Sequence, residues 1–142
     1  MKDDLKMIGT VSGRVIKADG TETFFKINNL IVTTGKTYAV SRLYTNDVVP
    51  ISHMGIGRNP VLPQPADSTL LEEISTRKPV TAVVIGNNIR FSSNFTNITD
   101  TIAEIGLFNA NEAGLMFARA LIGPFPLQAT DTLALDWNVN VP

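Results

Sequence analysis

Cysteine is absent from the 142 residues, which excludes disulfide cross-links and thiolate metal sites. Histidine occurs once, as His53, too few for a histidine-built metal centre. Charge is also scarce. Charged residues make up 18% of the chain, below the roughly 25% usual for soluble domains. Neither sign dominates: 12 basic residues against 13 acidic ones leave a net charge of −1. With no lysine–arginine cluster, nucleic-acid binding by phosphate neutralisation is not expected. No apolar run approaches the roughly 20 residues that span a bilayer. The opening Met1-Lys2-Asp3-Asp4 has no signal-peptide core. The expectation is a soluble chain made in the cytoplasm and not secreted. Its length fits one domain, 1–142, with a real core. Low charge beside 44% apolar content implies order, and a surface partly meant for covering by another protein.

What is present is a period of two. Leu133, Leu135, Trp137, Val139 and Val141 alternate with polar or small residues, as in a strand with one buried face. Ile89, Phe91 and Phe95 alternate in the same way. The β-branched run 80–85 before Gly86-Asn87-Asn88 predicts a tight hairpin. A second hairpin is expected across Asp19-Gly20, with Lys17 opposite Glu22. A third joins 102–109 to 115–122. Pairing Phe108 with Leu115 sets Glu104 opposite Arg119, and puts Ala103, Ile105 and Leu107 on one face with Ala120, Ala118 and Met116. One helix is expected, capped by Thr33 or Thr34, carrying Tyr38, Ala39, Val40, Leu43 and Tyr44, and ending near Asn46. Residues 51–57 read as a strand, 59–65 as an extended loop held irregular by three prolines, and 67–74 as a short helical turn. The sum is mostly β: an antiparallel, Greek-key-like sandwich of about eight strands with one short α-helix.

Chemistry has few candidates. Thr33-Thr34-Gly35-Lys36-Thr37 resembles the end of a phosphate-binding loop, but Leu30 stands where that motif needs its first glycine. His53 has no nucleophile and orienting acid tied to it by spacing, so it reads as a strand residue making a local hydrogen bond. The carboxylates are scattered, and no spacing singles out an acid pair. Asn94-Phe95-Thr96 and Asn97-Ile98-Thr99 match the glycosylation pattern, which is idle without export. No catalytic, metal or cofactor residue is expected, and an enzyme is not. Gly106 within a strand marks a bulge or close backbone approach. Trp137 reads as core.

Several segments together carry a resemblance. They are Asn29-Leu30-Ile31-Val32 with Thr34-Gly35-Lys36, Ser52-His53-Met54-Gly55-Ile56-Gly57, Glu104-Ile105-Gly106-Leu107-Phe108-Asn109, and Asp131-Thr132-Leu133 leading to Asp136-Trp137-Asn138-Val139. Over about residues 29–141 the chain resembles small structural proteins of tailed-bacteriophage virions, described as head decoration or cement, head-fibre and tail-fibre-associated proteins. It departs from that pattern at Arg58-Asn59-Pro60 and at Ala103. The resemblance implies a virion protein made in the bacterial host. Its expected role is capsid decoration, binding the major capsid protein or other virion proteins, and forming homo-oligomers, dimer or trimer. A tail-fibre or baseplate module is the alternative. Further off is a carbohydrate-binding module, with Tyr38, Tyr44 or Trp137 against sugar. The expected contact residues are Val11, Arg14, Val15, Phe24 and Phe25 of an N-terminal hairpin (1–28) reaching a neighbour, and Arg58, Pro60, Pro63 and Pro65 of the proline loop.

Overall fold

The computed structural model describes residues 6–142; the opening segment read above for a signal peptide lies outside them. Strands β1 (Ile8–Ile16), β2 (Glu22–Asn28) and β3 (Leu30–Ile31) precede helix α1 (Thr33–Ser41). Then come β4 (His53–Gly57), β5 (Glu73–Pro79), β6 (Thr81–Ile85), β7 (Asn88–Thr96), β8 (Asp100–Phe108), β9 (Met116–Leu127) and β10 (Thr132–Asn140). They form two five-stranded antiparallel sheets, ordered β2-β1-β10-β7-β6 (sheet A) and β3-β9-β8-β4-β5 (sheet B). The chain is a mostly β, antiparallel sandwich.

The core lies between the sheets and follows from the alternation. Val11, Val15, Phe91, Phe95, Leu133, Leu135, Trp137 and Val139 point inward from sheet A. Met54, Ile56, Ile105, Leu107, Ala118, Ala120 and Ile122 answer from sheet B. Truncating a side chain as large as Trp137, which has no exposed surface, costs about 3–5 kcal/mol in such cores. The alanines of β9 let the sheets approach. Tyr38 of α1 packs edge-on against Phe117 at 6.1 Å, and Gly35 lies flat on the Phe117 carbonyl, where a Cβ has no room.

Several expected details differ. In the first hairpin, Ile16 pairs with Glu22, so the ladder is shifted by one residue. The loop is longer than two residues: Lys17 N–H donates to the Thr21 carbonyl, and Gly20 takes a left-handed φ of 88°. Lys17 therefore meets Asp131 at 2.8 Å, while Glu22 meets Arg14 at 3.2 Å. In the β8–β9 hairpin Glu104 lies opposite Leu121 and Gly106 opposite Arg119, because Phe108 pairs with Met116 instead of Leu115 and the irregularity at 107/108 moves the register one residue further. Ile105 and Leu107 still share a face with Ala120 and Ala118, but Met116 pairs with Phe108 on the other face. The N-cap is Val32, without a side-chain cap bond, and the helix ends at Ser41. Residues 67–72 form no helical turn, since the Leu71 and Glu72 amides are drawn to a side chain across the sheet. The Gly86-Asn87 turn is as expected, closed by Ile85 opposite Asn88.

Candidate functional site

The outer face of sheet B is covered by a strap, residues 58–72, which contains the proline loop. Strands β4 and β8 make its seat. Gly55 pairs with Gly106 and Gly57 with Glu104, so the outward positions are nearly bare of side chains. That bareness is required. A Cβ on Gly57 would stand 2.6 Å from the Glu104 carboxylate and from the Glu72 carbonyl, and one on Gly106 would stand 2.8 Å from the Phe108 ring.

Glu104 and Arg119 hold the strap down. Both have no exposed surface, and Arg119 Nε donates to Glu104 Oε1 at 3.1 Å. The contact is diagonal across the β8–β9 ladder, within reach of long side chains. Glu104 also accepts the backbone N–H groups of Asn59 (3.0 Å), Leu71 (2.9 Å) and Glu72 (2.8 Å), one end of the strap and the other. The Arg119 guanidinium donates to the carbonyls of Val61 at 2.7 Å and Asn59 at 3.4 Å, and lies 3.5 Å from Asp67. A buried ion pair is tolerable only when its remaining donors and acceptors are also satisfied, and here the strap backbone does that. Beneath it Val32, Leu70, Phe108 and Met116 form a small second core, and Thr33 N–H donates to the Pro65 carbonyl. That last bond and the packing of Gly35 fill the start of α1, the place where the sequence resembles a phosphate loop.

A second clamp stands beside the first. The Arg77 guanidinium stacks 3.4 Å from the centroid of the Phe108 ring and pairs with both oxygens of Glu73, at 2.7 and 3.0 Å. It also donates to the Ala110 and Ala113 carbonyls, fixing the β8–β9 loop, which Asn109 closes by accepting the Leu115 N–H at 2.8 Å.

The expected contact residues divide. Val11 and Val15 are buried in the sandwich, and β1 lies inside sheet A between β2 and β10, so the hairpin is no free arm. Phe25 is half-buried against Phe125, with ring centroids 5.1 Å apart. Phe24 and Arg14 are exposed on the outer face of sheet A. In the strap, Arg58 is exposed and bonds Glu72 and Asp100, Pro60 and Pro65 are exposed, and Pro63 is half-buried. Val61 and Leu62 lie within the expected proline loop but were not singled out there, and they are 52% and 68% exposed. Their signal was two large apolar residues between prolines in a loop with no strand to bury them. Among the aromatics suggested for sugar contact, Trp137 and Tyr38 are buried, and burial pushes the Tyr38 hydroxyl pKa upward; Tyr44 is exposed. His53 Nδ1 shares a hydrogen bond with Ser52 Oγ at 2.8 Å. Among the described residues no carboxylate hydrogen-bonds His53, and no group of three metal-ligating side chains occurs.

Comparison with protein-family models, curated proteins and solved structures gave no match.

Proposed function

We propose that this chain is a bacteriophage virion structural protein, a capsid decoration or cement protein that binds the assembled capsid lattice and stabilises it without catalysis. The observation that carries the reading is the strap. Its backbone is fixed from both ends by the Glu104–Arg119 pair, and it presents Val61 and Leu62 to solvent between prolines. An apolar contact held in advance loses little conformational freedom on binding. Residues that carry the resemblance build its support: Gly55, Gly57, Glu104, Gly106, Phe108 and Asn109 seat or lock the strap and the neighbouring loop. They serve shape rather than bond-making. Weak contacts repeated over a symmetric shell add through multivalency, which suits a small apolar contact on a rigid mount.

The test is co-sedimentation of purified protein with capsids lacking it, using Leu62→Glu as the probe. A central apolar anchor contributes about 2 kcal/mol or more, so that change should weaken capsid binding by roughly 30-fold while leaving the fold intact. Full binding by Leu62→Glu removes Leu62 from the contact. Labelling confined to tails on intact particles would replace the decoration reading with a tail-fibre or baseplate one, and glycan-array binding without capsid binding would replace it with a carbohydrate-binding one.

A further inference from the structure

Among the described residues the two sheets have four edges, and three are guarded. Edge strand β2 carries Glu22 and Lys26. Edge strand β5 carries Glu73, Arg77, Lys78 and Pro79, with a left-handed break at Ser75 (φ 63°). Edge strand β3 is two residues long. Charge, proline, irregularity and shortness are the usual means of stopping one sheet from pairing with another. The fourth edge, β6, has none of them. It reads Thr81-Ala82-Val83-Val84-Ile85, every residue exposed, with Val84 at 67% and Ile85 at 64%.

We propose that β6 is a self-association edge, pairing antiparallel with β6 of a second copy about a two-fold axis through Val83, and so joining two five-stranded sheets edge to edge. The inference is independent of the virion reading. The two-residue Gly86-Asn87 turn makes Ile85 and Asn88 the closing hydrogen-bonded pair. Thr81, Val83 and Ile85 therefore turn their backbone groups toward β7, and Ala82 and Val84 turn theirs outward. An axis through Val83 sets Ala82 opposite the partner's Val84, so the outward groups of each copy meet as hydrogen-bonded pairs. Val83 then falls at the close, non-hydrogen-bonded position, and no charge faces a like charge. The strand is its own complement. The side chains fit as well: Ala82 and Val84 rim an apolar cleft of about 430 Å³ lined by Tyr38, Pro50, Ile51 and Phe91, and pairing brings two such rims together. A two-fold contact uses the edge of both copies and closes at the dimer.

The chain has no cysteine, so a single introduced one reports cleanly. Val83→Cys places two thiols across the axis with Cα atoms about 4.5 Å apart, within disulfide range. Ile85→Cys faces the partner's Thr81 and is the control. The wild-type chain is expected to sediment at twice its own mass at tens of micromolar. Val84→Lys is expected to sediment at the single-chain mass with an unchanged circular-dichroism spectrum, and Thr81→Lys serves if Val84→Lys fails to fold. Val83→Cys is expected to cross-link under mild oxidation much faster than Ile85→Cys. A monomeric wild type, a dimer indifferent to both lysines, or equal cross-linking at the two positions overturns the proposal. So does a monomer whose β6 pairs only with a strand from another protein.

Discussion

Glu104 is one carboxylate serving an arginine and three backbone amides, and it has no exposed surface. Removing it leaves Arg119 buried and unpaired, an arrangement that costs about 3–5 kcal/mol, and strands the amides of Asn59, Leu71 and Glu72. Glu104→Ala is therefore expected to lower stability by that amount in denaturant titration. It should also expose residues 59–72 to protease before the global transition, and a variant whose strap resists protease as the parent does would remove Glu104 from its assigned role. The glutamate–arginine partnership was legible in the sequence, although the two were expected directly opposite each other and meet instead on the diagonal. What they held was not: the three amides belong to a loop whose path no local pattern encodes.

At the scale of elements, alternation was a sound guide wherever one face meets the core and the other meets water. β10 and β7 show this, with Leu133, Leu135, Trp137, Phe91 and Phe95 inward. It failed where an extra residue enters a ladder. Asp19-Gly20 signals a turn, but the left-handed Gly20 can close a two-residue loop or a longer one, and the two differ by one residue of register. The short β3 and the edge strand β5 left too little period to read, and in 67–74, expected as a helical turn, Leu70 serves a second core on the outer face of a sheet while Leu71 is exposed. Gly57 on β4 and Gly106 on β8 have a purpose that only the strap reveals, because Glu72 and Leu70 of the strap crowd them. Gly57→Ala and Gly106→Ala each insert a methyl group where a neighbour already stands 2.6 to 2.8 Å away. Each is expected to cost about 1–3 kcal/mol by overpacking, read as a lower unfolding midpoint with an unchanged β-rich spectrum. Neutral substitutions would mean that the strap rides higher than described.

For the molecule as a whole, the turn after β1 is fastened to the turn before β10. Asp131 accepts from Lys17 Nζ at 2.8 Å and from the Gln128 amide at 2.8 Å. The Lys17 hydrogen bond, then the amide, hold its carboxyl below the ordinary value of 3.8. The unfolded chain thus takes up this proton first as pH falls. The contribution to stability is complete above the ordinary carboxylate range and disappears as pH drops through the folded value. Asp131→Asn is expected to lower stability at neutral pH and to flatten the acid limb of the stability curve below about pH 4. An acid limb identical to the parent's would show that other carboxylates set it. The ladder between β1 and β10 joins Ile8 to Asn140, whereas β8 and β9 are neighbours across a short loop. Closing so distant a contact is entropically slow, while the local hairpin closes quickly. The joining of β10 to β1 is therefore expected to come after the local hairpins have closed, with Trp137 left wet until then.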